Sequence, residues 1–453
     1  MTSNDLPLTL QMARSSAPRR RTGCQTCRSK GQLARSSATT QLSISSYAIP
    51  FKVPGSQNDR RLLHYFCVQG SSDISGFLTS DFWSQTVLRE SHQDQVIRQA
   101  LVAMSSLHLN YITSNSEEGL VRNVDTLTQY GKALRAVRRR LGQPTNATLK
   151  TVLVCCIIFY CCESALGDRD AALQHLSNGV KMLASAQHEQ AGKESDDMKK
   201  LSAIFERLDM QASFFEDDRS PLLTFSPWKS VVTRDDPLLH EESFSRLQDA
   251  QESLIRLQAW LYHFVNEYAH LHEEPKEALP SYVLQERDAL VQGYTAWGKA
   301  LNDFWVGAQH DQRNLYGYRT LLVQFHVCRM ILESKFPKND DIFDVSPNLD
   351  VQMILDLAES LLQHTVEKNA STNATKSPRR NFSLETGIVA PVFALAIKCS
   401  DEAIITRAAQ MLASSQRREG LYDAQVMAQI VTQLKTLREK GVPCERALNI
   451  NGT

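Results

Sequence analysis

The chain has 453 residues, 42% of them hydrophobic and 22% charged, with 50 Lys+Arg balanced by 50 Asp+Glu. That length holds one large or two to three ordinary domains and leaves ample apolar material for a core. Zero net charge excludes a highly charged disordered chain and a protein that holds nucleic acid by bulk electrostatics alone, and ordinary Gly and Pro contents exclude collagen-like and low-complexity classes.

The balance is uneven along the chain. Residues 1–58 carry Arg14, Arg19, Arg20, Arg21, Arg28, Lys30, Arg35 and Lys52 against Asp5 alone, a net +7 that leaves −7 on the remainder. A basic arm on a mildly acidic body suits an anionic partner for the arm. Residues 1–59 are rich in Ser, Thr, Arg and Gln and show no lasting apolar periodicity, so they are expected to be disordered unless a metal orders part of them. Leu6 to Met12 is too short, and too broken by Pro7 and Gln11, for a secretory signal. The sequons at Asn146, Asn369, Asn373, Asn381 and Asn451 therefore read as chance matches, and the protein is expected inside the cell.

From residue 60 to 442 the pattern is helical, with 443–453 as a tail. Apolar residues fall at helical spacing across Asp94–Thr113, then from Leu120 to Leu141, where Arg138-Arg139-Arg140 suits the negative end of the helix and Gly142 and Pro144 stop it. Ala147–Leu166 follows, and Asp168 or Asp170 can cap the next helix, which carries Leu173, Leu176, Val180 and Leu183. Leu201–Phe215 continues the pattern, and "RSPLLTFSPWK" reads as a loop. Further helices are expected at Ser245–His270, Pro280–Val306, Asn314–Lys335, Asp350–Glu367, Thr386–Cys399, Asp401–Ser414 and Asp423–Lys440. "NASTNATKSPRR", Asn369 to Arg380, reads as a mobile loop. No run alternates with period two for long enough to predict a strand, so the fold class is all-α. The apolar run Val152–Cys162 has eleven residues, too few to span a bilayer, and is expected to be a buried core helix.

No catalytic residues are predicted. The sequence lacks a Gly-rich phosphate loop, H-E-x-x-H and G-x-S-x-G. Ser226-x-x-Lys229 matches S-x-x-K, but Pro227 denies it the helix that pairing requires. Cys155, Cys156, Cys161 and Cys162 resemble a ligand set, yet at about 100° per residue only Cys155 and Cys162 share a face. Core packing is the better reading for all four. The informative element is "RRRTGCQTCRSKG". Cys24 and Cys27 have the spacing with which a turn presents two thiolates to one zinc, and Arg19, Arg20, Arg21, Arg28 and Lys30 around them can contact phosphates.

This element resembles the start of the fungal zinc binuclear cluster family of transcription factors. In that family six cysteines hold two zinc ions and the basic residues after the second cysteine lie at the DNA. Cys24 and Cys27 match the first two ligands, and Arg28 and Lys30 fall in the basic stretch. The third ligand would stand near position 34, which is Ala34, and the next cysteine is Cys67. The site is therefore incomplete: either a piece of the reader is missing from the sequence or the reader has been lost.

The body strengthens the resemblance. "SGFLTSDFWSQTVLRESHQDQVIRQALVAMSSLH", "AALQHLSNGVKML", "GIVAPVFALAIKCSDEAI" and "RREGLYDAQ" look like stretches of the fungal-specific regulatory domain that follows such clusters. The resemblance implies a nuclear regulator of a metabolic or secondary-metabolite gene set, with zinc as cofactor. DNA is the implied partner, alongside a homodimer or other transcription regulators, with no membrane role. The alternative is a helical interaction protein that has lost specific DNA binding.

Overall fold

The computed structural model describes residues 54–78, 80–113, 124–142, 146–189, 196–215, 243–307, 312–372 and 380–440. The chain divides into two units, Met1–Ala48 and Ile49–Thr453. The first lies outside the described residues, as do "RSPLLTFSPWK" and the tail; the expected disorder of the arm falls there for residues 1–53, whereas Gln57 to Asp59, also expected to be disordered, are helical because Ser56 and Asp59 cap the helix start. The second is all-α, as its sequence pattern predicts.

Its helices are α1 (Gln57–Tyr65), α2 (Ser71–Ser75), α3 (Val87–Gln93), α4 (Gln95–Thr113), α5 (Val124–Leu141), α6 (Asn146–Leu166), α7 (Arg169–Glu189) and α8 (Asp196–Phe215), followed by α9 (Leu247–Glu267), α10 (Ser281–Gly307), α11 (Gln312–Glu333), α12 (Asp341–Asp344), α13 (Leu349–Thr372), α14 (Val389–Lys398), α15 (Glu402–Ser415) and α16 (Ala424–Glu439). Single π-helical turns at Phe66–Gly70 and Phe82–Thr86 precede α2 and α3.

Aspartates start several of these helices where the sequence places them. The Asp94 carboxylate accepts from Val96 N at 2.7 Å, Asp168 from Ala171 N at 3.0 Å, Asp401 from Ala403 N at 2.8 Å and Asp423 from Gln425 N at 3.0 Å. Each satisfies a backbone donor that the first turn leaves open. Asp94 does more: its other oxygen accepts from Arg140 of α5 at 3.1 Å and Thr151 of α6 at 2.8 Å. Helix α1 begins at Gln57, where Ser56 and Asp59 form a capping box, three residues before the point at which apolar periodicity opens the body. Helix α13 continues to Thr372, so the backbone of residues 369–372 is helical where the sequence reads a loop.

Three short strands correct the expectation of no strand. β1 (Asn381–Ser383) pairs in parallel with β2 (Arg417–Glu419), which pairs antiparallel with β3 (Tyr422–Asp423). Two or three residues are too few to show alternation. Gly420 takes φ 56° in the turn between β2 and β3, the left-handed conformation that favours glycine.

The apolar side chains form three large cores. One is built on α1–α8 and includes Phe382 and Leu384, a second on α11 and α13–α16, and a third on α9–α11. Helix α11 has an apolar face for each of the last two. Val323, Val327 and Met330 enter the second core, while Leu321, Phe325, Cys328 and Leu332 enter the third, both sets at helical spacing. The stretch from Ile74 to Leu78 touches all three. Ile74 lies in the first, Phe77 packs on the second and Leu78 lies in the third.

Helix α6 is the spine of the first core, with Thr151 to Ala165 buried without a break. Thr148–Leu166 has a mean hydropathy of 1.8 and enough length to cross a membrane by composition alone, a longer apolar segment than the eleven residues read from the sequence. It is 83% buried and packs against α4 and α7, which is the core-helix reading. Cys155, Cys156, Cys161 and Cys162 are all buried in that core. Gly179 of α7 lets α6 and α8 approach. A Cβ there would overlap the buried Phe205 ring and lie 3.3 Å from Cys156 Cβ. Gly179→Ala should therefore destabilise by about 1–3 kcal/mol in urea unfolding. Gly307→Ala is the comparison, because nothing lies within 4 Å of its Cβ, and it should shift stability by less than about 1 kcal/mol.

Candidate functional site

The residues singled out by sequence as a site, Arg19, Arg20, Arg21, Cys24, Cys27, Arg28 and Lys30, all lie outside the described residues. Two thiolates do not make the four-ligand tetrahedron zinc requires, so Cys24 and Cys27 alone do not fit a zinc cluster. Among the described residues no group of three or more His, Cys, Asp or Glu could hold a metal. Burial keeps the core cysteines as thiols, with Cys156 pushed up to about 12 and Cys328 to about 11.

A buried polar cluster lies on the small sheet, against the first and second cores and the Ile74–Leu78 segment. Arg417, Arg418 and Glu419 of β2 are all buried. Glu419 is fully enclosed, and its carboxylate accepts from Gly387 N at 2.8 Å, from Val389 N at 2.9 Å and from Arg417 Nε. It thereby serves the first backbone donor of α14, at Val389, and the Gly387 N–H just before the helix cap. A Cβ at Gly387 would come within 2.6 Å of Glu419 Oε1, so the close approach depends on glycine. The Arg417 guanidinium lies 4.3 Å from the centre of the Phe77 ring, a cation–π contact with the segment that touches all three cores. Arg418 pairs with Asp423 at 2.9 Å and donates to the Ser164 and Ala165 carbonyls at 3.3 and 3.2 Å, filling open acceptors at the end of α6.

Strand β1 completes the cluster. Leu384 N donates to Ile74 O at 2.9 Å and Gly420 N to Ser383 O at 2.8 Å. Just beyond β1, Glu385 is clamped by Arg207 of α8, whose Nε and Nη2 each lie 2.8 Å from a carboxylate oxygen, with both side chains at most 6% exposed. On the other side His108 of α4 is enclosed. Its Nε2 faces the Phe382 carbonyl at 3.4 Å, and a carbonyl only accepts, so Nε2 carries the hydrogen and Nδ1 accepts from the Tyr65 hydroxyl at 2.6 Å. Burial pushes the pKa of His108 below the ordinary histidine value.

Two other features have site-like chemistry. Tyr130 donates to Glu163, and His175 stands 3.5 Å from the tyrosine oxygen. These groups lock α5, α6 and α7 together, with the Phe159 ring against Tyr130 and His175. An open groove of about 820 Å³ runs between α15 and α16. Thr406, Gln410, Gln425 and Gln429 line it above Ala409 and Ala428, which offers amide and hydroxyl hydrogen bonds without an acid–base pair. Sequence reasoning missed the charged sheet, whose signal in the sequence is confined to the short stretch "RREGLYDAQ".

The described residues thus define a helical scaffold joined at a buried charged sheet. Its sequence matches the fungal-specific transcription factor domain over residues 61–433, and the chain belongs to that family. A protein of Emericella nidulans named as an aspercryptin biosynthesis cluster-specific transcription regulator is 21% identical to it, covering 87% of this chain and 78% of that protein. The family is one of transcription factors, and this relative is named as a transcription regulator. No solved structure matches the chain.

Glu385→Ala should destabilise the body by about 3–5 kcal/mol, because it leaves Arg207 charged and buried. Arg207→Met combined with Glu385→Leu should cost less than Glu385→Ala alone, and urea unfolding of the three variants reads both effects. The lowered pKa of His108 sets a pH dependence. Its contribution to stability is present above the ordinary histidine pKa of about 6.5 and is lost as pH falls through its depressed value. Stability measured at pH 7.5 and 5.0 should therefore fall less in His108→Gln than in the parent protein.

Proposed function

We propose that the chain is a nuclear transcription regulator of a metabolic or secondary-metabolite gene set, with the helical body as its regulatory part. The observation that carries this reading is the match of most of the body, residues 61–433, to the fungal-specific transcription factor domain. The relative from Emericella nidulans, named as specific to one biosynthesis cluster, supports the narrower gene-set assignment. DNA contact falls nominally to the N-terminal element, with Arg19, Arg20, Arg21, Arg28 and Lys30 facing phosphates.

A second reading is favoured by one observation, the presence of Cys24 and Cys27 without further ligands at cluster spacing. On that reading the chain regulates through protein interaction and has lost specific DNA recognition. Phosphate contacts position a protein on DNA but carry no sequence information directly, so base readout needs a rigid scaffold. The chain as it stands should bind duplex DNA weakly and without sequence preference, with a dissociation constant of about 10⁻⁴ to 10⁻⁶ M at physiological salt. Titration onto random and GC-triplet duplexes, with and without zinc, checks this. A zinc-dependent preference above about tenfold would establish that the arm still reads sequence and would reject the second reading. Localisation of the tagged chain outside the nucleus under all growth conditions would count against both.

A further inference from the structure

The exposed face of α5 carries charge that the fold does not use. Lys132, Arg135, Arg138 and Arg139 are exposed, and none forms an ion pair among the described residues. Arg139 Nε reaches only the Arg135 carbonyl, at 3.4 Å on the same helix. At about 100° per residue Lys132, Arg135 and Arg139 fall within an arc of about 60° and span about 10 Å along the axis, with Arg138 beside them. Arg140 points elsewhere and pairs with Asp94.

Among the described residues, the elements packed on α5 do not neutralise this face. The only acid on α5 is Asp125 in its first turn. The helices packed most closely on α5 are α4 and α6. Helix α4 contains no Asp or Glu, and the single acid of α6, Glu163, is engaged by Tyr130. Compensation of the helix dipole accounts for cations in the last turn, Arg138 to Arg140, but the effect falls off within that turn and does not reach Lys132 or Arg135.

We propose that this face of α5 contacts the phosphate backbone of duplex DNA, as a second, body-borne phosphate site in addition to the N-terminal arm. The proposal rests on the reading of the chain as a regulator that acts at DNA. Charge complementarity selects an anion, and arginine, which supplies two of the three aligned cations, forms forked bonds to phosphate. Between Lys132 and Arg139, the arc that holds the three cations carries no aromatic or large apolar side chain. The exposed apolar residues of α5 stand outside that arc: Val124 lies two turns before Lys132, Leu127 more than one turn before it, and Leu141 on the opposite side of the helix. An acidic protein partner would need such an anchor at the centre of its contact, whereas a phosphate backbone needs none.

The test uses the full chain and a random-sequence duplex, with affinity measured across a range of salt. Lys132→Gln, Arg135→Gln and Arg139→Gln combined should weaken binding by about tenfold or more at low salt. The combined variant should also lower the slope of log affinity against log salt by about three, roughly 0.9 for each phosphate that is no longer neutralised. Lys132→Glu alone should lower that slope by about one, a readout that stands if the triple variant loses its helical circular dichroism. Arg135→Lys with Arg139→Lys keeps the charge and should retain most of the affinity.

If affinity and slope stay unchanged in both charge-removing variants while Arg19→Gln, Arg20→Gln and Arg21→Gln combined abolish binding, the proposal is overturned and the regulator reading survives. If the parent chain does not bind duplex at low salt, both fail. Capture of a poly-glutamate peptide that requires the three α5 side chains, with duplex binding independent of them, overturns the proposal in favour of an acidic protein partner.

Discussion

The buried carboxylate of Glu419 ties the small sheet to the start of α14. A charge this enclosed is tolerated only when its oxygens are filled, and here two backbone N–H groups and the Arg417 side chain fill them. Those donors come from the start of α14 and from the strand itself, so the second core is positioned by the same carboxylate that holds β2. Arg417 then reaches Phe77, and Arg418 reaches the end of α6, which brings in the first core and the segment that bridges to the third. Replacing such charges by well-packed apolar groups is often neutral or stabilising, so the network is poor evidence of extra stability. What it supplies is geometry. Each charge is satisfied only when elements from distant parts of the chain stand in one arrangement.

That arrangement explains why short strands occur in an otherwise helical body. A helix satisfies its own backbone, but a junction of three cores leaves chain segments that cannot all be helical. Residues 381–384 and 417–423 solve this by pairing with each other and with Ile74 O. The cost of burying two arginines in one strand is offset by charge-assisted bonds, each stronger than a neutral one. Helix α11 does the same work with apolar groups, offering one face to the second core and another to the third. The body is thus packed as one compact unit.

The sequence made the helices legible because their signals are local. Apolar spacing, the aspartate cap read at position 168 or 170, and the unbroken apolar run of α6 each act within a few residues, while Asp94, Asp401 and Asp423 are legible only as helix starts. The four cysteines of α6 were legible as core for the same reason, since helical angles alone scatter them. The charged junction was not legible. Arg417, Arg418 and Glu419 look like a solvated turn until the partners that enclose them are known, and Ser164, Gly387 and Phe77 lie far away in sequence. The ends of α13 and α1 were missed where helical backbone continues through polar residues that carry no apolar period. The basic element around Cys24 and Cys27 was legible only as a resemblance, because two ligands do not determine a site.

If the charged sheet holds the three cores as one unit, opening of one core should open the others. Native-state hydrogen exchange on the parent chain and on Glu419→Gln tests this most directly, because it reads opening of each helix separately. Coupling through the junction predicts that protection falls together, and by similar factors, in α4, α10 and α14. Loss confined to α14 and the strands, with α4 and α10 unchanged, would contradict the account and make Glu419 a local helix cap.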